Sequence, residues 1–404
     1  MLNIAVFFGG KTVEHDVSVV TAQQLIQNMD KTKFNPVPVY ITREGDWYSG
    51  KKLTKIEAFK SFDKGDKEVT RVYLPANTRI KQLYRFNPEK KGLFAKENNV
   101  YMPIDAAIIA MHGLNGEDGT LQGLLELADI PYTSSGVLGS ASGMDKILMK
   151  AVFIGAGLPV LPYTYFDRDA WNKDETAILD KCEKALTYPM FVKPSNLGSS
   201  IGISKAHNRE ELKNAIDVAK EYDRRILVEQ GVDSPKEINC SALGFGDDVS
   251  ASVCEMPYNS DEFLTFSDKY LNGGKNQAGM EALSRRIPAP IPDEMTKTIQ
   301  EMTIKAFKLM DCKGVVRIDY MCDKDLKELY INEINTIPGS FAFYLWEPLG
   351  ISYDKLIEKL IDIAFTAHND KKKNNFAFDS EIIAGFARNS QKAGKFGGNK
   401  FGKL

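Results

Sequence analysis

No run of apolar residues in this chain approaches the roughly 20 that a membrane-spanning helix needs. Net charge is nearly absent as well. Its 52 Lys and Arg stand against 54 Asp and Glu, leaving −2, so no global field draws it toward nucleic acid or anionic lipid. Cysteines are few: five in 404 residues, at 182, 240, 254, 312 and 322. They are odd in number and form no C-x-x-C pair, which argues against a disulfide or zinc framework and for reduced, buried thiols. The amino terminus lacks a basic n-region and a small-residue cleavage site; Met1 runs directly into Leu2-Asn3-Ile4-Ala5-Val6-Phe7-Phe8, which reads as a first strand. These absences predict a cytoplasmic protein with no membrane and no nucleic-acid partner. Glycine-rich nucleotide fingerprints are missing too. Gly9-Gly10-Lys11-Thr12 imitates the end of a P-loop, but the position five residues before Gly10 is Ala5, and no G-x-G-x-x-G follows a strand.

What is present is a composition of 43% hydrophobic and 26% charged residues, enough for a large core and two or three domains. The first third alternates strand, turn and helix: a strand at 2–8 ending at Gly9-Gly10, a helix from about Ser18, a strand at 104–111, and a helix at 121–128 after Glu117-Asp118-Gly119-Thr120. That order predicts a parallel sheet, with ligands at the carboxyl ends of its strands. Residues 51–100, rich in Lys, Asn and Glu, read as a surface insertion. Further on, a helix is expected at 146–155, strands at 188–193, 201–205 and 225–229, a helix near 209–221, period-2 alternation at 238–256, 314–322 and 328–334, and a helix at 293–310. The expected fold class is α/β and α+β in three domains: 1–134 with its insertion, 135–229 and 230–368. In the tail, 369–404, Lys and Arg outnumber acids 8 to 3; it reads as a basic, largely flexible, solvated end with a short helix at 379–388.

Two segments carry candidate chemistry. In Lys193-Pro194-Ser195-Asn196-Leu197-Gly198-Ser199-Ser200-Ile201-Gly202, a lysine ends one strand and a small-residue loop leads to the next. Backbone N–H groups and two hydroxyls there would suit a phosphate; composition alone favours an ordinary Gly/Ser hairpin. The second segment is Gly314-Val315-Val316-Arg317-Ile318-Asp319-Tyr320, a turn, then Leu329-Tyr330-Ile331-Asn332-Glu333-Ile334-Asn335. Side chains alternate along a strand, so Arg317 and Asp319 share one face, as do Glu333 and Asn335. If the strands pair, two carboxylates and an amide form an oxygen-rich patch without His or Cys, which suits Mg²⁺ carrying nucleotide phosphates. Alternation by itself usually means a solvated polar face on a half-buried hairpin.

Taken together, the motifs form a pattern. The chain resembles the D-alanine–D-alanine ligases of the ATP-grasp superfamily over about residues 2–366. The resemblance is carried by Gly9-Gly10, Glu14-His15-Asp16-Val17-Ser18, His112-Gly113-x-x-Gly116-Glu117-Asp118-Gly119, Met144-Asp145-Lys146, and Lys193-Pro194 with Gly198-Ser199-Ser200. It continues through Glu229-Gln230-Gly231, Asp268-Lys269-Tyr270, Arg317-Ile318-Asp319 and Asn332-Glu333-Ile334-Asn335-Thr336.

The resemblance implies a three-domain ATP-grasp architecture and an ATP-dependent carboxylate–amine ligase. Two D-alanines would be joined through an acyl phosphate for peptidoglycan precursor synthesis. It also implies roles. Lys146 and Lys193 would contact ATP phosphates beneath the loop Gly198, Ser199 and Ser200. Glu229 and the adjacent Gln230 would hold adenine, and Glu237 the ribose. Asp319, Glu333 and Asn335 would bind two Mg²⁺, with Mn²⁺ as an alternative. Glu14 would hold the first D-alanine's ammonium in a triad with Ser199 and Tyr270. Arg317 and the Gly339 N–H would face the tetrahedral oxyanion. Lys269 and Tyr270 would sit on a loop closing over the reaction, and their presence favours an amine acceptor over a hydroxy acid. A homodimer through the first domain is implied as well.

The pattern breaks after Pro338-Gly339. Where the family carries a serine for the second substrate's carboxylate, this chain reads Ser340-Phe341-Ala342-Phe343-Tyr344-Leu345-Trp346. Tyr344 could donate its own hydroxyl, Ser340 could substitute, or the acceptor pocket could differ. The alternatives are therefore a ligase that joins D-alanine to another amino acid, or a non-catalytic ATP-binding relative. Among single residues, His112 is expected to shape the substrate loop, His15 to start a helix beside Glu14, His207 and His368 to lie at the surface, and Trp346 to sit in the core.

Overall fold

The computed structural model describes residues 1–89, 98–257, 285–376 and 382–383. They divide into two units, Met1–Ala367 and His368–Leu404. The expected helix at 379–388 and most of the tail lie outside the described residues.

The first sheet holds seven strands: β1 (Leu2–Gly9), β2 (Phe34–Ile41), β3 (Trp47–Ser49), β4 (Thr70–Tyr73), β5 (Gln82–Glu89), β6 (Asn98–Pro103) and β7 (Ala106–Ile109), in the order β6-β5-β4-β3-β2-β1-β7. The parallel sheet expected for this region is parallel only across β2-β1-β7. From β2 outward every pairing is antiparallel. Residues 51–100 are thus more than the surface insertion that composition suggested, since they supply three strands of this sheet. Those strands bury little beyond Val72 and Leu83, so no long apolar pattern marks them. The helix His15–Asn28 begins three residues earlier than expected and packs on β1.

The second sheet, β8 (Tyr163–Asp167), β9 (Met190–Pro194), β10 (Ser204–Ala206) and β11 (Arg225–Gln230), is antiparallel in the order β10-β9-β11-β8. Helices Glu175–Ala185 and Arg209–Tyr222 cover it through Ile178, Leu179, Leu212 and Ile216.

The third sheet runs β14-β13-β12-β15-β16, all antiparallel: β12 (Lys236–Phe245), β13 (Asp248–Pro257), β14 (Arg285–Arg286), β15 (Gly314–Cys322) and β16 (Leu329–Asn335). Its apolar face, with Ile238, Cys240, Val316, Ile318, Tyr320 and Ile331, packs on Ile299, Ala306 and Phe307 of the helix Asp293–Leu309. The Tyr320 hydroxyl meets Thr303 Oγ1 at 2.7 Å. Burying one face leaves the alternate positions pointing the other way, and those positions carry the polar residues of the site.

The largest core cluster runs from the first sheet through Ile337, Phe341, Leu345 and Trp346 into the helix Tyr353–Lys371 at Leu356, Ile357 and Leu360. The turn after β16 is thereby anchored against the first sheet. Trp346 is buried as expected, and its Nε1 donates to Ser241 Oγ at 3.1 Å. All five cysteines are buried and none is disulfide-bonded.

Candidate active site

The paired hairpin predicted from alternation forms. Arg317 faces Asn335 and Asp319 faces Glu333 across β15 and β16. Because β12 pairs the other edge of β15, Asn239 joins the same row opposite Asp319, and Glu255 of β13 lies opposite Asn239. Four acidic or amide side chains therefore cross the sheet in one line. Arg317 forks onto Asp319, Nε to Oδ1 at 2.6 Å and Nη2 to Oδ2 at 2.8 Å. Asn335 Nδ2 donates to Asp319 Oδ2 at 3.0 Å. Burial weighs against the Arg317 charge, but the Asp319 carboxylate more than offsets it and holds the guanidinium firmly protonated. Among the described residues no three His, Cys, Asp or Glu side chains converge on one point. The oxygen donors here are two carboxylates and one amide.

The second sheet and the helix Lys146–Gly155 supply cations. The Asp145 side chain caps this helix, accepting from Ile147 and Leu148 N–H at 3.0 and 2.9 Å. The same Oδ1 accepts from Ser195 Oγ at 3.0 Å, and Lys146 N–H reaches Ser195 O at 3.0 Å, which ties the helix start to the 193–200 loop. Lys146 Nζ donates to Leu197 O at 2.8 Å and lies 3.4 Å from Glu333. One turn further along, Lys150 is fully buried and ion-paired with Glu229. Lys193 Nζ takes the other Glu229 oxygen at 2.7 Å and reaches Asn332 Oδ1 at 3.1 Å. Although burial alone would push Glu229 up, the two ammonium groups hold its pKa below the ordinary glutamate value. Sequence reasoning missed Lys150; its i, i+4 spacing from Lys146 was the available signal.

The first sheet delivers Glu14 to the same place. Ser199 Oγ donates to Glu14 Oε1, bringing together residues 185 positions apart. Ser199 and Ser200 both adopt left-handed backbone, φ 53° and 59°. Gly198 lies so close that a β-carbon there would stand 3.1 Å from the Glu14 carboxylate. His15, buried at the start of its helix, bonds Gly10 O at 2.7 Å and the Tyr40 hydroxyl at 3.0 Å. His112 meets Thr21 Oγ1 at 2.9 Å, and burial drives its pKa down to about 4, so it is neutral at pH 7. Glu117 accepts from Gly113 N–H at 2.8 Å and Ile337 N–H at 3.3 Å. Burial, reinforced by Glu14, raises its pKa to about 8. His207 is exposed.

One cavity of about 130 Å³ unites these parts. Its lining includes Glu14, Lys146, Gly198, Ser199, Glu237, Arg317, Asp319, Glu333, Asn335 and Gly339, together with His112 and Glu117. A smaller neighbouring cavity holds Lys193 and Ser200 and shares Gly198, Glu237, Asp319 and Glu333 with the first. The opposed carboxylates of the hairpin thus stand where the two cavities adjoin. Gln230 lines neither: its side chain accepts from Thr187 N–H at 2.8 Å and donates to Thr187 O at 2.8 Å. Tyr270 and Lys269 lie outside the described residues.

Beyond Asn239 the cavity is lined by Glu255, Arg285 and Tyr344; the sequence pointed to Tyr344 and missed the other two. Ser340 turns away; its Oγ donates to Gln24 Oε1 at 2.6 Å. Ser340, Phe341 and Ala342 all have left-handed backbone, φ 50–55°, and this coil aims the Tyr344 ring into the cavity.

A Gly/Ser loop between antiparallel strands, facing a sheet with opposed acidic residues, is the construction of an ATP-grasp ligase. The chain matches the family profiles described as D-ala D-ala ligase N-terminus, over residues 3–135, and D-ala D-ala ligase C-terminus, over 152–362. It is 41% identical over 374 residues to a D-alanine–D-alanine ligase of Thermoanaerobacter sp., covering 91% of this chain and 98% of that one. Among solved structures it resembles a D-alanine-D-alanine ligase of Coxiella burnetii (27% identity, TM-score 0.73, 92% and 98% covered). It also resembles the VanG D-Ala:D-Ser ligase of Enterococcus faecalis (30% identity, TM-score 0.74, 90% and 99% covered). The chain belongs to the D-alanine–D-alanine ligase family.

Proposed function

We propose that this enzyme joins two D-alanines at the expense of ATP, supplying D-alanyl-D-alanine for peptidoglycan precursors in the cytoplasm. The observation that carries the reading is the position of Asp319 and Glu333 where the two cavities adjoin, one lined by Lys193 and the other by Glu14. Lys193 and Ser200 on the one side, Lys146 and Ser199 on the other, with Gly198 shared between them, would hold phosphates. Glu229, Gln230 and Glu237 would serve the nucleoside, Glu229 and Gln230 chiefly through their backbone because both side chains are engaged by Lys193 and Thr187. On the other side Glu14 takes the donor ammonium.

A donor carboxylate oxygen attacks the γ-phosphorus and ADP leaves, giving an acyl phosphate. The acceptor's neutral amine then attacks the acyl carbon, phosphate departs with the C–O bonding pair, and the nitrogen gives up a proton. Arg317 and the Gly339 N–H face the oxyanion of that second step. Asp319, Glu333 and Asn335 offer hard oxygen donors on directly opposed strand positions, which fits Mg²⁺, or Mn²⁺ in its place, two ions sharing the set. The bound metal would neutralise charge on the phosphoryl group in flight. Lys269 and Tyr270 belong to this proposal as covering residues, as do the three-domain division near 134 and 230 and a homodimer through the first domain.

The test is purified protein with ATP, Mg²⁺ and a panel of amino acids, read by phosphate release and product mass. D-Ala-D-Ala as the main product supports the reading. The placement of Tyr344 in the cavity favours one second reading, a different acceptor such as D-serine, which a mixed dipeptide would reveal. Absence of turnover would leave a non-catalytic ATP-binding relative.

A further inference from the structure

Behind the two adjoining cavities lies a buried cluster of three charges. Lys150 and Glu229 are ion-paired, each side chain only 1% exposed, and they line neither cavity. Lys193 takes the other Glu229 oxygen at 2.7 Å. Unlike Lys150, it reaches the wall of the second cavity, which it shares with Gly198, Ser200, Asp319 and Glu333. Of the two ammonium groups on Glu229, Lys193 alone stands where a ligand in these cavities can meet it.

Lys150 is held from two directions. The helix Lys146–Gly155 carries it inward one turn beyond Lys146. Its Nζ lies 5.9 Å from the centre of the Tyr163 ring, and Tyr163 is the register partner of Glu229 across β8 and β11. An aromatic face at that distance attracts a cation. Burial works against the Glu229 carboxylate, and Lys150 opposes it more strongly than Lys193 does. Burial also draws the Lys150 pKa below the ordinary lysine value, with Glu229 resisting.

The count of charges decides what Lys193 can offer. Two ammonium groups around one carboxylate leave a net charge of one, and Lys193 brings it to the cavity wall. Without Lys150 the remaining two groups would form a neutral pair. An anion in the cavity would then compete with Glu229 for Lys193, and winning would leave a carboxylate unpaired in the interior, which is strongly unfavourable.

We infer that Lys150 is a positioning residue for nucleotide binding: as the resident counter-ion of Glu229, it leaves the Lys193 charge available to a phosphate. This rests on the reading of the Lys193 cavity as a nucleotide site. Lys150 never touches the nucleotide; it acts through Glu229 and Lys193.

The experiment measures ADP binding with Mg²⁺ by calorimetry, together with the KM values for ATP and D-alanine, on the full chain. Lys150→Met weakens ADP roughly ten- to hundredfold, the worth of a charge-assisted hydrogen bond. The ATP KM rises in step, while the D-alanine KM stays in place. Lys150→Gln, which keeps a hydrogen bond to Glu229 and loses the charge, does the same. Adding Glu229→Gln to Lys150→Met removes the carboxylate that captures Lys193 and recovers most of the ADP affinity. A residue that only supports the fold would move both KM values together and would gain nothing from the second substitution. Parent-like ADP affinity in Lys150→Met overturns the inference, and so does a loss that Glu229→Gln fails to repair. If Lys150→Met does not fold, parent-like ADP affinity in Lys150→Gln overturns it equally. Should the unaltered protein bind no ADP, the nucleotide reading fails first and takes this inference with it.

Discussion

The two ends of the cavity are built differently. At one end, Arg317, Asp319, Glu333 and Asn335 sit on a single hairpin, on directly opposed positions. At the other, Glu255, Arg285 and Tyr344 come from β13, β14 and the left-handed coil after β16. The hairpin end needs only strand alternation and a short turn, both local properties. The Glu255–Arg285–Tyr344 end exists only once three separate segments have packed. An element specified locally keeps its chemistry through wide sequence change elsewhere, whereas one assembled from distant parts can be re-equipped segment by segment. Here the departure from the family pattern falls at the assembled end.

The sharpest way to break this comparison is at the hairpin. Under the proposed function Glu333→Ala is expected to lower kcat by at least about a thousandfold, since it would remove an oxygen donor to the metal that accompanies the phosphoryl group, while the thermal melt stays near that of the parent. Substantial residual turnover would remove the hairpin's claim to the chemistry. Next in size is the buried ion pair behind it. Lys150→Met leaves Glu229 with Lys193 alone and should cost about 3 kcal/mol in unfolding free energy by urea titration. A cost near zero would mean that Lys193 suffices.

The third prediction concerns pH. Glu117 has its pKa raised from 4.5 to about 8, so between those values the folded protein holds a proton that the unfolded chain has released. Stability therefore falls as pH rises through that window, by up to about 1.4 kcal/mol per pH unit. Glu117→Gln should flatten that slope, which thermal melts at a series of pH values would detect. A slope that persists unchanged would assign it to other groups. The smallest effect is expected at Gly198. A methyl there would stand 3.1 Å from the Glu14 carboxylate, so Gly198→Ala should raise the donor KM a few-fold with little change in kcat. No change in donor KM would mean that the loop gives way and that Glu14 is held from the first sheet alone.

Much of the fold was legible in advance. The helix at 146–155 and the strand at 314–322 fall at the residues expected, the strand because apolar and charged residues alternate over 316–320 above a buried face. Residues 51–100 were not legible as sheet, since their strands are short, lie toward the sheet edge and bury few side chains. At the site, Glu14 and Ser199 meet as the family resemblance implied, and nothing in the local sequence around either residue announces the other. Glu255 and Arg285 were overlooked for a related reason: a carboxylate on an alternating strand and one arginine of the pair Arg285-Arg286 both read as surface.

By itself, then, the sequence determined the hairpin face, the capped lysine helix and the small-residue loop, because periodicity and capping act over a few residues. Tertiary structure decided how these parts face each other. It brought Glu14 beneath the loop, left Lys150 and Lys193 sharing one buried carboxylate, and stacked Arg285 on Tyr344. The reason is physical: a side chain's partner across a cavity is fixed by sheet order and by which apolar face is buried, and neither is encoded within the few residues around it. The oxygen donors of the hairpin could be read from the chain; the cluster of Glu255, Arg285 and Tyr344 could not.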